Sequence, residues 1–111
     1  MVTGVQTCAL PIYKSRIISF INLKLTSYVI PVGVTSIGDE AFWGCSSLSD
    51  IVIPDGVTSI GDEAFGGCTS LSSLVIPDSV MSIGYSAFCG CNIPTDLKQE
   101  LIYRFGRKIF G

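Results

Sequence analysis

The sequence predicts a mainly β repeat solenoid: three 23-residue coils, a partial coil before them and a capping helix after them. The first reason is repetition. YVIPVGVTSIGDEAFWGCSSLSD (Tyr28–Asp50), IVIPDGVTSIGDEAFGGCTSLSS (Ile51–Ser73) and LVIPDSVMSIGYSAFCGCNIPTD (Leu74–Asp96) align without a gap. Pro31, Pro54 and Pro77 stand 23 residues apart, as do Phe42, Phe65 and Phe88 and the cysteines 45, 68 and 91. Such self-similarity marks thin units that bury their apolar faces only by stacking. The second reason is composition. With 48% hydrophobic and 14% charged residues the chain has a core to bury, and its 111 residues suit one domain.

Residues 2–12, VTGVQTCALPI, resemble the translation of a widely used sequencing-library adapter. On that reading 1–12 is a non-native segment that packs against no part of the fold and carries Cys8 with it, and the true N-terminus, with any export signal, is missing. The competing reading is a native segment, although it lacks the basic start and long apolar stretch of a signal peptide. Residues 13–27 form a partial repeat. A shift of 23 sets Asn22 under Cys45 and Leu25 under Leu48, so that 22–30 supply the first strand. Ile17, Ile18, Phe20 and Ile21 depart from the repeat and serve to cover the open end of the stack.

The repeats themselves occupy 28–96. In the middle copy, Leu48-x-x-Ile51-x-Ile53-Pro54 alternates as a strand does, and the proline ends it because it has no N–H for a ladder. Asp55-Gly56 is a turn. Val57 to Gly61 reads as a second short extended piece with Val57 and Ile60 inward. Asp62 to Phe65 reads as one helical or 3₁₀ turn with Asp62 as its N-cap. Stacked about 4.8 Å apart, the coils join equivalent positions into columns: the prolines, Ile37/Ile60/Ile83, Ala41/Ala64/Ala87 and Phe42/Phe65/Phe88. The pattern breaks at Pro94, and residues 97–111 read as a helical cap. Asp96 with Gln99 offers a capping box, or Thr95 an N-cap; Leu97, Leu101, Ile102 and Phe105 share a face, the basic side meets water, and Gly106 stops the helix.

The motif IP-x-x-V-T-S-I-G-x-x-A-F-x-G-C-x-S-L resembles the BspA-type leucine-rich repeat of bacterial and some protozoan cell surfaces. The resemblance covers 28–96 closely. It implies a leucine-rich-repeat fold, a cell-surface or secreted location, and adhesion to host or extracellular-matrix protein. As an interaction module the chain would present its outward strand positions to a protein or a glycan. The ending R-F-G-x-x-I-F is similar to the ends of such proteins and implies a natural C-terminus. An alternative is a structural fragment from the end of a longer array, with no binding site of its own.

Charge is segregated. Between Tyr28 and Asp96 there are eight acidic residues and no Lys or Arg, and all seven basic residues lie in the flanks. An acidic body disfavours nucleic acid, whose phosphates need a basic face. No apolar run approaches the ~20 residues that cross a bilayer. The chain has no histidine, the commonest general base and metal ligand.

Each candidate chemistry has a plainer explanation. Cys45, Cys68 and Cys91 form a column of small buried hydrophobes, with a disulfide or metal as weaker alternatives. Cys89-Gly90-Cys91 is too tight for zinc spacing. Asp39-Glu40 and Asp62-Glu63 stack four carboxylates that calcium could use, but Tyr85-Ser86 breaks the ladder, and capping with solvation accounts for the pairs. Glycoside hydrolysis would need a cleft, which a three-coil stack is not expected to have. The serine and threonine pairs have no base beside them and serve turns and edges. Asp78-Ser79-Val80 resembles a short glycosylation motif. The expectation is therefore of no enzyme, catalytic residue, cofactor or metal.

The candidate partner site follows from strand alternation, which turns Ser27/Asp50/Ser73 and Val29/Val52/Val75 outward. The valines are a contact ladder or simply suit a strand. Trp43 fills the site held by Gly66 and Cys89 in the other copies and is either a contact anchor or a shield for the next coil.

Overall fold

The computed structural model describes residues 25–111, together with the backbone of 12–13 and 16–17. Eight short strands occur among these: β1 (Ile12–Tyr13), β2 (Arg16–Ile17), β3 (Ser27–Val29), β4 (Ser36–Ile37), β5 (Asp50–Val52), β6 (Ser59–Ile60), β7 (Ser73–Val75) and β8 (Ser82–Ile83). They form two sheets, one ordered β3-β5-β7 and the other β1-β2-β4-β6-β8. Pairings among β3 to β8 all lie one repeat apart and are parallel: Tyr28, Ile51 and Leu74 in one sheet, Ile37, Ile60 and Ile83 in the other. This is the repeat-stacked β-and-turn architecture of leucine-rich repeats. The two sheets enclose one core, in which Val57, Ile60, Ala64, Phe65, Cys68 and Leu71 of the middle repeat are all shielded from water. The proline column stands at a corner: Pro77 is buried, but Pro31 and Pro54 are only partly so.

The segment from Gly61 to Cys68 departs from expectation. It is a run of β-turns closed by bonds from Ala64 N–H to Gly61 O, Gly66 N–H to Glu63 O and Cys68 N–H to Phe65 O. Intervening N–H groups point along the stack instead: Glu63 donates to Tyr85 O, Phe65 to Ala87 O (2.7 Å) and Gly67 to Cys89 O. A helix would have aimed its N–H groups along its own axis at carbonyls four residues back, not at the neighbouring coils. The inter-coil demand wins, and it sets the backbone. Glu40, Glu63 and Ser86 adopt φ of 54–57°, and Gly44, Gly67 and Gly90 adopt 77–81°. Asp62 is not an N-cap; its Oδ1 accepts from Tyr85 N–H of the next coil, as Asp39 Oδ1 accepts from Asp62 N–H, both at 2.9 Å.

At the N-terminal side Leu25 enters the core under Leu48, as the 23-residue shift requires. Further back the shift changes. Arg16 and Ile17 pair with Ser36 and Ile37, a separation of 20 residues, so this part of the partial coil is three residues shorter than a full repeat. Residues 1–11, on which most of the adapter reading falls, lie outside the described residues, as do Asn22, Ile18, Phe20 and Ile21; Ile12 itself pairs antiparallel with Ile17.

The C-terminal end has a two-part cap. Helix α1 (Thr95–Phe105) begins directly after Pro94, with no side-chain cap, so neither the Asp96–Gln99 box nor a Thr95 cap forms. Proline already supplies an extended residue without an N–H, and Asp96 lies inside the first turn beside the helix's positive end. Leu101 is buried, while Leu97, Ile102 and Phe105 are partly covered. A 3₁₀ turn, Arg107–Phe110, then lies across the last coil. Lys108 and Ile109 carbonyls accept from Ser86 and Phe88 N–H, in the place of a further coil. Phe110 lies 6.2 Å from Phe88, ending the aromatic column. The basic side chains do more than meet water: Lys108 Nζ donates to Ile83 O at 2.7 Å, and Arg104 reaches Ile76 O and Pro77 O. Charged donors thus satisfy carbonyls at open sheet edges, which would otherwise invite further pairing.

Candidate functional site

Sheet β3-β5-β7 presents the residues that alternation turned outward. Tyr28, Ile51 and Leu74 face the core, and residues on either side face solvent. Ser27, Asp50 and Ser73 lie side by side in register, as do Val29, Val52 and Val75. The valines are 65%, 48% and 75% exposed, so three adjacent aliphatic side chains form a ridge across three paired strands, with Asp50 beside its centre. Trp43 lies elsewhere, on the turn run, and is 55% exposed. A Cβ at Gly66 would meet its Cδ1 at 3.1 Å. Trp43 therefore covers the next coil's glycine while keeping half its surface in water.

The other sheet carries a feature the sequence reading did not anticipate. A groove of about 550 Å³ lies against β4, β6 and β8, where no cleft was expected. Ser36, Ser59 and Ser82 line it in register, with Asp39, Asp62, Tyr85 and Lys108. Turn and edge bonding is the expected role of the serine and threonine pairs; of these Thr69 donates to Ser46 O, and outside them Ser49, Thr58 and Ser79 likewise bond to carbonyls of the preceding coil. The hydroxyls of Ser36, Ser59 and Ser82 make no such bond among the described residues. The available signal was the S-I dipeptide itself: with isoleucine inward, a neighbouring serine must face out.

The cysteine column is buried as expected at Cys45 and Cys68, and half-buried at Cys91. Its thiols are also donors. Cys68 Sγ lies 3.1 Å from Phe42 O and Cys91 Sγ 3.2 Å from Phe65 O, so each thiol satisfies a carbonyl of the preceding coil. Burial pushes both thiols up to about 12 from the ordinary 9.0, with neighbouring thiols adding to the effect at Cys68. The folded state therefore favours the protonated form. Its stabilising effect is complete below pH 9 and is lost as pH rises toward 12. We expect a melting temperature that is flat between pH 7 and about 8.5 and falls above pH 9, with a shallower fall in Cys68→Ala. An equally steep fall in that variant would assign the effect to other groups.

Among the described residues no three metal-ligating side chains converge, and no helix is long and apolar enough to cross a membrane.

Register-matched parallel strands, a turn ladder and an asymmetric end cap define a repeat protein of the leucine-rich class. The BspA type leucine rich repeat region (6 copies) matches residues 15–110, and the chain belongs to that family. A leucine-rich repeat protein from Bacteroides ovatus is similar over 68% of this chain and 21% of its own, at 40% identity and a TM-score of 0.61. The T. pallidum leucine rich repeat protein is similar over 68% of this chain and 37% of its own, at 31% identity and a TM-score of 0.63. This chain thus spans about a fifth and somewhat over a third of those two proteins. No curated protein matches it. Membership of this family supports a protein-binding module of the adhesion type in general.

Proposed function

We propose that the chain is a cell-surface or secreted adhesion module whose β3-β5-β7 face binds a host or extracellular-matrix protein. The exposed ridge of Val29, Val52 and Val75 carries this reading, because it offers contiguous apolar area without an ordering cost in the backbone. Ser27, Asp50 and Ser73 form its polar margin. The acidic body, with no Lys or Arg between residues 28 and 96, favours a basic partner surface and a fast, salt-sensitive association. Trp43 is a second contact candidate. In this reading 28–96 are three full coils, 13–27 a partial coil and 97–111 the cap, and 1–12 are the adapter-like segment, whose last residue, Ile12, pairs with Ile17.

The test is a double variant. Asp50→Lys with Val52→Glu should reduce binding to immobilised matrix proteins at least tenfold and leave the circular dichroism spectrum and melting temperature unchanged. Full binding by a folded double variant would remove the strand face from the site, and Trp43→Ala would be measured next. The fraction of the two solved relatives that this chain spans supports a second reading, in which it is a structural end of a longer array whose binding coils lie elsewhere. On that reading neither variant changes adhesion of a longer protein.

A further inference from the structure

We propose that the groove along β4, β6 and β8 binds a neutral linear oligosaccharide, laid along the stack so that successive sugar rings meet successive coils. This site is separate from the strand-face site and does not depend on it.

Geometry comes first. Ser36, Ser59 and Ser82 repeat at the strand spacing of about 4.8 Å, close to the length of one pyranose ring in an extended chain. A ligand with its own repeat can keep register with this ladder over two or three units. The chemistry agrees. The serine hydroxyls are available both to donate and to accept. Asp39 and Asp62 add fixed acceptors. In each, Oδ1 is pinned by a backbone N–H of the next coil at 2.9 Å, while Oδ2 accepts no bond from any described residue. Because those carboxylates are already held, a hydroxyl-bearing ligand meets them without further loss of side-chain freedom.

The third position of the aspartate column is Tyr85. Tyr85 is 65% exposed at the end of the groove, with Lys108 Nζ over one side of its ring, 5.1 Å from the centroid. An aromatic face beside fixed hydroxyls and carboxylates is suited to the apolar face of a sugar ring. Other ligand classes fit less well. Two carboxylates disfavour anions, and the nearby cation, Lys108, is engaged by Ile83 O. A peptide strand would require unpaired backbone groups, whereas the N–H groups of Gly61, Asp62, Gly84 and Tyr85 are all bonded to the preceding coil.

The test is an amide-resolved NMR titration of the full chain with cellotriose, maltotriose, mannotriose and chitotriose. At least one should shift the amides of Ser59–Asp62 and Ser82–Tyr85, with a dissociation constant that is roughly millimolar, as befits a shallow site. Tyr85→Ala should weaken binding about tenfold, the factor set by one aromatic contact. Ser59→Lys, which fills the middle of the groove, should abolish it, and Val52→Glu should leave it unchanged. The proposal is overturned if none of the four sugars shifts these amides at concentrations well into the millimolar range. It is also overturned if the shifts survive Ser59→Lys in a protein with native spectral dispersion. Sugar binding kept by the Asp50→Lys, Val52→Glu variant, with matrix-protein binding lost, would separate the two sites.

Discussion

Phe65→Ala is expected to cost roughly 3–5 kcal/mol, as truncation of a buried aromatic does. That is comparable to the whole stability of a small domain, so the variant should be largely unfolded at ambient temperature. Phe65 is fully buried and lies between two rings, 5.1 Å from Phe42 at 10° and 5.3 Å from Phe88 at 3°. Truncation removes both contacts and opens a cavity at mid-column, where the coil spacing is held by the bonds from Phe42 N–H to Ala64 O and Phe65 N–H to Ala87 O. The neighbours cannot close in without breaking those bonds. Phe88→Ala should cost less, because its outer neighbour is the more tilted and partly exposed Phe110. Urea denaturation of both variants measures the difference. A loss below about 1 kcal/mol for Phe65→Ala would mean that the column does not hold the stack together.

Gly61→Ala should be nearly as damaging, although it adds only one methyl group. A Cβ at Gly61 would lie 2.6 Å from the backbone nitrogen of Asp39 and 2.8 Å from the carbonyl carbon of Gly38, and would also strike Asp39 Oδ1. These are backbone atoms of the preceding coil and cannot rotate away. Relief requires opening the stack there, which breaks the bonds from Gly61 N–H to Ile37 O and from Asp62 N–H to Asp39 Oδ1. Overpacking and two lost hydrogen bonds together amount to about 2–4 kcal/mol. Gly66→Ala is the control. Its new methyl meets the Trp43 ring at 3.1 Å, and that half-exposed side chain can swing aside. The cost there should stay below about 1 kcal/mol. Equal losses at the two glycines would refute the backbone-clash argument.

Both predictions concern positions repeated every 23 residues, and the boundary of what the sequence could disclose falls there. Repetition alone determined the register, the buried columns and the outward positions of β3, β5 and β7. In a stack each residue's neighbour is its own copy, so an alignment of the chain with itself is already a contact map. The leucine-rich class followed from the same residues, as did the terminal helix from its apolar spacing and Gly106.

Only the tertiary structure decided where the remaining backbone hydrogen bonds go. Asp62-Glu63-Ala64-Phe65 has local features of a helical turn, yet alternate N–H groups are needed by the neighbouring coil, and this forces Glu63 to a φ of 54°. Asp62 spends its Oδ1 on the next coil, not on its own turn. Arg104 and Lys108 read as solvated charges, but the last coil leaves carbonyls open, and these donors reach them. The groove was hidden for the same reason. Its lining joins repeat positions, Ser36/Ser59/Ser82 and Asp39/Asp62/Tyr85, to Lys108 of the cap, and only the assembled stack sets these side by side. Propensity acts within a coil, while the demand to pair every backbone donor acts between coils; where the two conflict, only the assembled stack shows which prevails.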